Sequence, residues 1–198
     1  MSEIHEAIEK AQEGEHGEGF NKRIALVIAI LALFLSFSET AGKGAQTEAI
    51  SKNVESSDLW AFFQAKNIRI TQATTAAEEM AVAAAGATDP AVKAAMEKQI
   101  EAWKATAERL KSEPKTGRDE LAEQAKEAVE ERDLYMAKYH HYELSSAAFQ
   151  VGIVLASAAV ITGMIGLAWF AGGLGVLGLV LLALGLFAPH AVPLIATL

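Results

Sequence analysis

Apolar and polar residues are spread unevenly along the chain, and their spacing predicts helices throughout. From Leu144 to Pro189 there is no Asp, Glu, Lys, Arg or His. At 1.5 Å per residue, that run is about twice what a hydrocarbon core of roughly 30 Å requires. It reads as a transmembrane hairpin divided at Trp169-Phe170-Ala171-Gly172-Gly173, with one helix over 144–170 and another over 172–187. A second apolar run, Ile24 to Phe37, contains one Ser and is short for a span. Snorkelling Lys22 and Arg23, with continuation through Thr40, extends it to bilayer thickness. A signal-peptide core is the rival reading. The long acidic segment before the run and the lack of a small-x-small cleavage site after it favour a retained helix.

Between these runs the pattern is helical and amphipathic. Gly42 and Gly44 suggest a joint, followed by a helix from Thr47 to about Ala85 that ends at Gly86. Within it Leu59, Trp60, Phe62 and Phe63 are too many large apolar residues for one narrow stripe, which predicts burial between helices or rings at headgroup depth. Asp89-Pro90 opens the next helix as N-cap and first residue. Its apolar face is Val92, Met96, Ile100, Trp103, Ala107 and Leu110. Pro114-Lys115-Thr116-Gly117 breaks it. A third helix follows, capped by Thr116 or Gly117, with Asp119 and Glu120 in its first turn. Leu121, Ala125, Ala128, Tyr135, Tyr139, Tyr142, Phe149, Ile153 and Ala156 make one heptad-like seam along it, interrupted by Arg132 and Ser146. A rod over 116–170 would be about 80 Å long. Three helices in the middle leave a parity problem, because a chain that leaves the membrane must return to it. A break near Thr71–Thr75, a membrane-lying aromatic part or a sideways helix would each resolve it.

Composition then limits the function. Net charge is −8 with no basic stripe, which argues against nucleic acid as a partner. The chain has no Cys, so disulfides, thiolate metal sites and a Cys nucleophile are excluded together. No phosphate-binding Gly-rich loop, HExxH, nucleophile elbow or Ser-His-Asp arrangement is present, and no cofactor or enzymatic activity is expected. The last two spans carry no ionisable group, which speaks against an ion-coupled transporter.

Four groups of residues remain as candidates. His140 and Glu143 are three apart and share a helix face, a spacing able to hold a metal with ligands from a neighbouring subunit; an interfacial belt with Tyr139 and Tyr142 is the plainer account. Glu39, with Ser36 and Ser38, ends the first span and would ring a pore mouth in an oligomer, or simply mark where the helix enters water. Gly152, Ala156, Ala159 and Gly163 in the second span, and Ala171, Gly175, Gly178 and Gly185 in the third, allow close helix approach within the hairpin and between copies. Trp60, Phe62 and Phe63 form the packing cluster of the middle region. The acidic stretch 1–20 reads as a solvated tail carrying about two turns of weak helix.

Glu55-Ser56-Ser57-Asp58-Leu59-Trp60-Ala61-Phe62-Phe63-Gln64-Ala65-Lys66 resembles the signature of a bacterial membrane family catalogued as domain of unknown function 4337. The acidic tail, the short first span and Phe149-Gln150-Val151-Gly152-Ile153 look similar too. The resemblance implies three spans around a helical middle domain and brings no activity or site residue. The expected architecture is therefore an all-α membrane protein with three transmembrane helices and a helical, coiled-coil-like domain between the first and second. Its segments are an acidic tail (1–20), a first span (21–41), an extramembrane domain (42–143), a hairpin (144–189) and an apolar tail (190–198). The expected role is a homo-oligomeric scaffold or sensor in the bacterial inner membrane, with a protein partner on the helical domain; an oligomeric channel is the alternative. Lys22 and Arg23 favour a cytoplasmic N-terminus and an exported middle domain.

Overall fold

The computed structural model describes residues 2–191, with side chains from residue 19 onward. Beyond Ala191 the apolar tail lies outside the described residues, as do the side chains of the acidic segment before Gly19. Four helices and no strand occur among the described residues: α1 (Ser2–Gly86), α2 (Pro90–Ser112), α3 (Arg118–Thr162) and α4 (Ile165–Phe187). Three of them, α1, α3 and α4, are long and apolar enough to cross a membrane. The chain divides into two units, one made of residues up to Glu48 together with those from Leu134, the other of Ala49–Asp133.

Gly42 and Gly44 are no joint, since α1 runs through both. A glycine inside a helix costs up to about 1 kcal/mol relative to Ala. At Gly42 close packing offsets that cost, because its Cα faces the Tyr142 side chain with room for no more than a methyl group at 3.5 Å. A heptad seam faint in the hydrophobicity pattern explains why α1 persists. Counting in steps of three and four from Ile24 through Leu31, Ser38, Gly42, Ala45, Ala49 and Ser56 to Ala77 and Ala84, each of these residues is buried. The intervening seam positions, Lys52, Phe63, Lys66 and Ile70 among them, are half-buried.

In the unit Ala49–Asp133, α1 is met by α2 and then by α3, and both run against it. Ala77, Ala84 and Ile100 make one small core with Met80, Met96 and Trp103. Further along, the Ser56 hydroxyl donates to the Ala125 carbonyl at 3.3 Å, and Lys52 bridges Glu55 (2.9 Å) and Glu131 (2.6 Å). Three helices thus make one outward and one returning pass, which removes the parity problem without a break, a surface helix or a sideways one. Asp89 caps α2 as its sequence requires, accepting from the Ala91 N–H at 2.8 Å with Pro90 following. Between α2 and α3, Lys115 has φ 66°, and Gly117 accommodates a backbone approach that no Cβ would permit, 2.6 Å from the Glu113 carbonyl oxygen.

Ion pairs set the pH range of this unit. The Lys66 ammonium, 2.9 Å from Glu113, holds that carboxyl below its ordinary value of 4.5, and the hydrogen bond Lys52 donates to Glu131 raises the lysine above its ordinary 10.5. A lowered carboxyl stabilises the fold above its unfolded pKa, and the gain is lost as pH falls through the folded one. A raised amine acts in the opposite sense, and its contribution is lost only in strong alkali. The thermal midpoint should therefore be flat through neutral pH and fall below about 4.5. Glu113→Gln should lower it slightly at pH 7 and weaken the acid dependence. An equally steep acid limb in Glu113→Gln would place the responsible carboxylates elsewhere.

In the other unit α1, α3 and α4 pack side by side, α3 antiparallel to α1 and α4 antiparallel to α3. Large side chains fill positions left by small ones. A methyl group added at Gly175 would meet Leu31 Cδ2 at 2.7 Å, one at Gly178 the Phe149 ring at 2.7–3.0 Å, and one at Gly185 the Tyr142 ring at 2.7 Å. Phe149 is fully buried and stacks on Phe34 at 6.0 Å. Ile24, Ala156, Ala159 and Ala171 close the far end of the unit. In lipid such close contacts are the main attraction between helices, and small residues admit them.

The hairpin turns earlier than the aromatic–glycine stretch suggests. α3 ends at Thr162 and α4 begins at Ile165, so the division falls at Gly163-Met164. Gly163 has φ 71°, the left-handed conformation glycine adopts without strain, and its N–H donates to Ala159 at 2.9 Å. The Thr162 hydroxyl accepts from Met164 N at 3.3 Å. Gly163 is thus a turn residue with open space around it, not part of a packed small-residue stripe. Gly172 and Gly173 stay helical and exposed. A division at residue 171 would have left a last span of about 24 Å, whereas the 23 residues of α4 reach about 35 Å.

Candidate functional site

The richest polar constellation lies in the unit containing α4, where α1 and α3 pass from uncharged to charged sequence. Ser38 and Ser146 are buried, and both hydroxyls donate to the Tyr142 carbonyl, each at 2.9 Å. Ser145, also buried, donates to the Gly178 carbonyl at 2.8 Å. Serine thus ties α3 to α1 on one side and to α4 on the other, a kind of polar glue that costs little where water is scarce. His141 lies in the same layer with none of its surface exposed. Its Nδ1 is 2.9 Å from the Ala137 carbonyl, an acceptor, so Nδ1 carries a proton and donates it there. Its Nε2 is buried with no hydrogen-bond partner.

Beside this layer a cleft of about 290 Å³ opens between residues 38–46 of α1 and 139–146 of α3. Glu39, Lys43 and Gln46 line one wall, and Tyr139 and Glu143 the other. Glu39 is exposed and its carboxylate accepts from Gln150 at 3.4 Å. Ser36 is exposed one turn below, its carbonyl accepting from Thr40. His140 Nδ1 stands 4.0 Å from Glu143 Oε2, as their spacing on one helix face requires. No third His, Cys, Asp or Glu joins them into a group able to hold a metal among the described residues.

The remaining candidates fall elsewhere. Trp60 and Phe63 are half-buried and meet edge to face at 5.3 Å, while Phe62 is 63% exposed on the side of α1 away from the seam. Gly152, Gly175 and Gly178 all serve packing within this unit, against Leu31 or Phe149. Sequence reasoning singled out Glu39, His140 and Glu143, placed His141 in the interfacial belt where the structure buries it, and missed Gln46 and Ser145. One signal was available. Ser38 falls at seven-residue spacing with Ile24, Leu31 and Ala45, which marks it as inward-facing.

A protein-family model described as a domain of unknown function (DUF4337) matches residues 20–188. No curated protein and no solved structure matches the chain.

Proposed function

The chain belongs to this family of unknown function, and from that premise we propose that it is a non-enzymatic bacterial inner-membrane protein working as a homo-oligomeric scaffold or sensor. The reading rests on the outward side of α1 in the unit Ala49–Asp133. Opposite the buried seam runs a row at seven-residue spacing: Val54, Ala61, Ile68, Thr75 and Val82. Val54, Ile68 and Val82 are 55%, 57% and 77% exposed. The residues flanking the row from Ile50 to Gln72 are exposed and include one charge, Asp58. The outward sides of α2 and α3 in the same unit are dense in charge, with Lys93, Glu97, Lys98, Glu101, Glu123, Lys126 and Glu127. Depletion of charge on one face of an otherwise charged surface is the compositional mark of an interface. Copies inserted in one membrane share an orientation, so the row can pair with itself across a two-fold axis. Two long helices, α1 and α3, run unbroken from membrane-length sequence into this unit, a construction suited to passing on what happens at that interface.

Native mass measurement of the full-length protein in lipid nanodiscs tests this. A defined oligomer is expected, and Val54→Glu with Ile68→Glu should reduce it to the monomer. A monomeric wild type in lipid would overturn the reading. The alternative, an oligomeric channel with Glu39 at its mouth, has less behind it. Below Glu39 the exposed residues of α1 from Ala25 to Phe37 are apolar except Ser36, and one serine does not make a polar path for an ion.

A further inference from the structure

The cleft between α1 and α3 has a composition that packing does not require. It brings two carboxylates, Glu39 and Glu143, to the same opening as Lys43, with Tyr139 beside them hydrogen-bonded to Glu143. The seam lysines of α1, Lys52 and Lys66, are each held by a glutamate, at 2.6 and 2.9 Å. Lys43 has no ion pair among the described residues.

Its level along the helices is equally informative. Glu39 is the first charge after the apolar run of α1, and Glu143 the last before the uncharged stretch of α3. If these stretches cross a bilayer, as the proposed function holds, the cleft lies at headgroup depth, where long cationic and aromatic side chains place their polar ends.

We infer that the cleft binds the headgroup of a zwitterionic phospholipid carrying a primary amine, of the phosphatidylethanolamine class. The lipid's phosphate takes the Lys43 ammonium, and its ammonium takes the carboxylates of Glu39 and Glu143, the latter held in place by its hydrogen bond from Tyr139. Charge-assisted hydrogen bonds of this kind are the strong ones. The same arrangement discriminates between headgroups. A glycerol headgroup leaves both carboxylates facing an anion with no cation between them. A choline headgroup has no N–H to donate to them.

The test uses full-length protein in mild detergent, offered equal amounts of phosphatidylethanolamine, phosphatidylglycerol and phosphatidylcholine with identical acyl chains, and read by native mass spectrometry. Wild type should retain phosphatidylethanolamine about tenfold over the other two, the ratio that loss of one such hydrogen bond produces. Lys43→Ala and the pair Glu39→Gln, Glu143→Gln, all at exposed positions, should each erase the preference. Equal retention of the three lipids, or a preference unchanged by these variants, would overturn the inference. Glycerophosphoethanolamine without acyl chains supplies the remaining arm. If it displaces the lipid at equal concentration, the site serves a soluble phosphoester and the lipid assignment fails. A wild type that enters nanodiscs as an oligomer yet shows no headgroup preference would sink this inference alone, whereas a monomeric wild type that keeps the preference would sink only the proposed assembly.

Discussion

Gly178→Ala should lower the thermal midpoint of the detergent-solubilised protein, at a cost of about 1–3 kcal/mol, although alanine is the better helix former. The new methyl group would lie 2.7–3.0 Å from three atoms of the Phe149 ring. Those atoms belong to a rigid, fully buried side chain backed by Phe34, so relief requires α4 to move away from α3. The same substitution at Gly172 or Gly173, where nothing lies within 4 Å, should be neutral or stabilising by up to about 1 kcal/mol. Three glycines on one helix thus give opposite signs for one chemical change. Gly175→Ala should fall between them, because the atom it meets is the flexible end of Leu31. If Gly178→Ala proves as mild as Gly172→Ala, α4 is not seated against Phe149 and the close packing of this unit is wrong.

His141→Leu should raise stability, by about 1–3 kcal/mol. A buried ring nitrogen without a hydrogen-bond partner carries its full desolvation penalty, and leucine removes it while keeping a comparable apolar volume. The lost bond from Nδ1 goes to Ala137, a carbonyl four residues back that the helix ladder already serves. Thermal unfolding of both proteins under one set of detergent conditions decides the sign. A clear loss of stability would mean that Nε2 has a hydrogen-bond partner in the working protein, and a neighbouring copy would be the first place to look.

Much of this architecture is legible in the sequence, and the failures have physical causes. The three membrane-length helices follow from uncharged runs, and the α2 N-cap follows from Asp89-Pro90, because both signals are local. The α3 seam is visible because Tyr142, Phe149 and Leu121 are large. Its partner on α1 is faint, because Ser38, Gly42, Ala45, Ala49, Lys52 and Ser56 are small or polar even though all face inward. Obscured with it was the continuity of α1, so two glycines looked like a joint. The hairpin turn was misplaced for a related reason. A glycine pair beside aromatics is a stronger local signal than the lone Gly163, but which glycine becomes left-handed depends on how much span each helix must supply. In the candidate site, His140 and Glu143 were legible as neighbours three residues apart. The cleft was not, because its two walls are about a hundred residues apart in the chain.

The matched registers of α1 and α3 restrict how a chain of this design changes length. Within the unit Ala49–Asp133, Lys52 pairs with Glu131, and Arg118 donates to the Asn67 side-chain oxygen at 3.4 Å. The segments joining them, 53–66 on α1 and 119–130 on α3, are therefore two sides of one ladder. One residue inserted on a single side turns everything beyond it by about 100° and carries the seam off its partner. Seven inserted on one side keep the face but leave the rungs about 10 Å out of step. Only equal insertions on both sides, in multiples of seven, preserve every rung. Related chains should therefore differ in the length of this stretch by paired heptads, and tolerate unpaired insertions chiefly at Ala87–Asp89 and Glu113–Gly117, where the ladder ends.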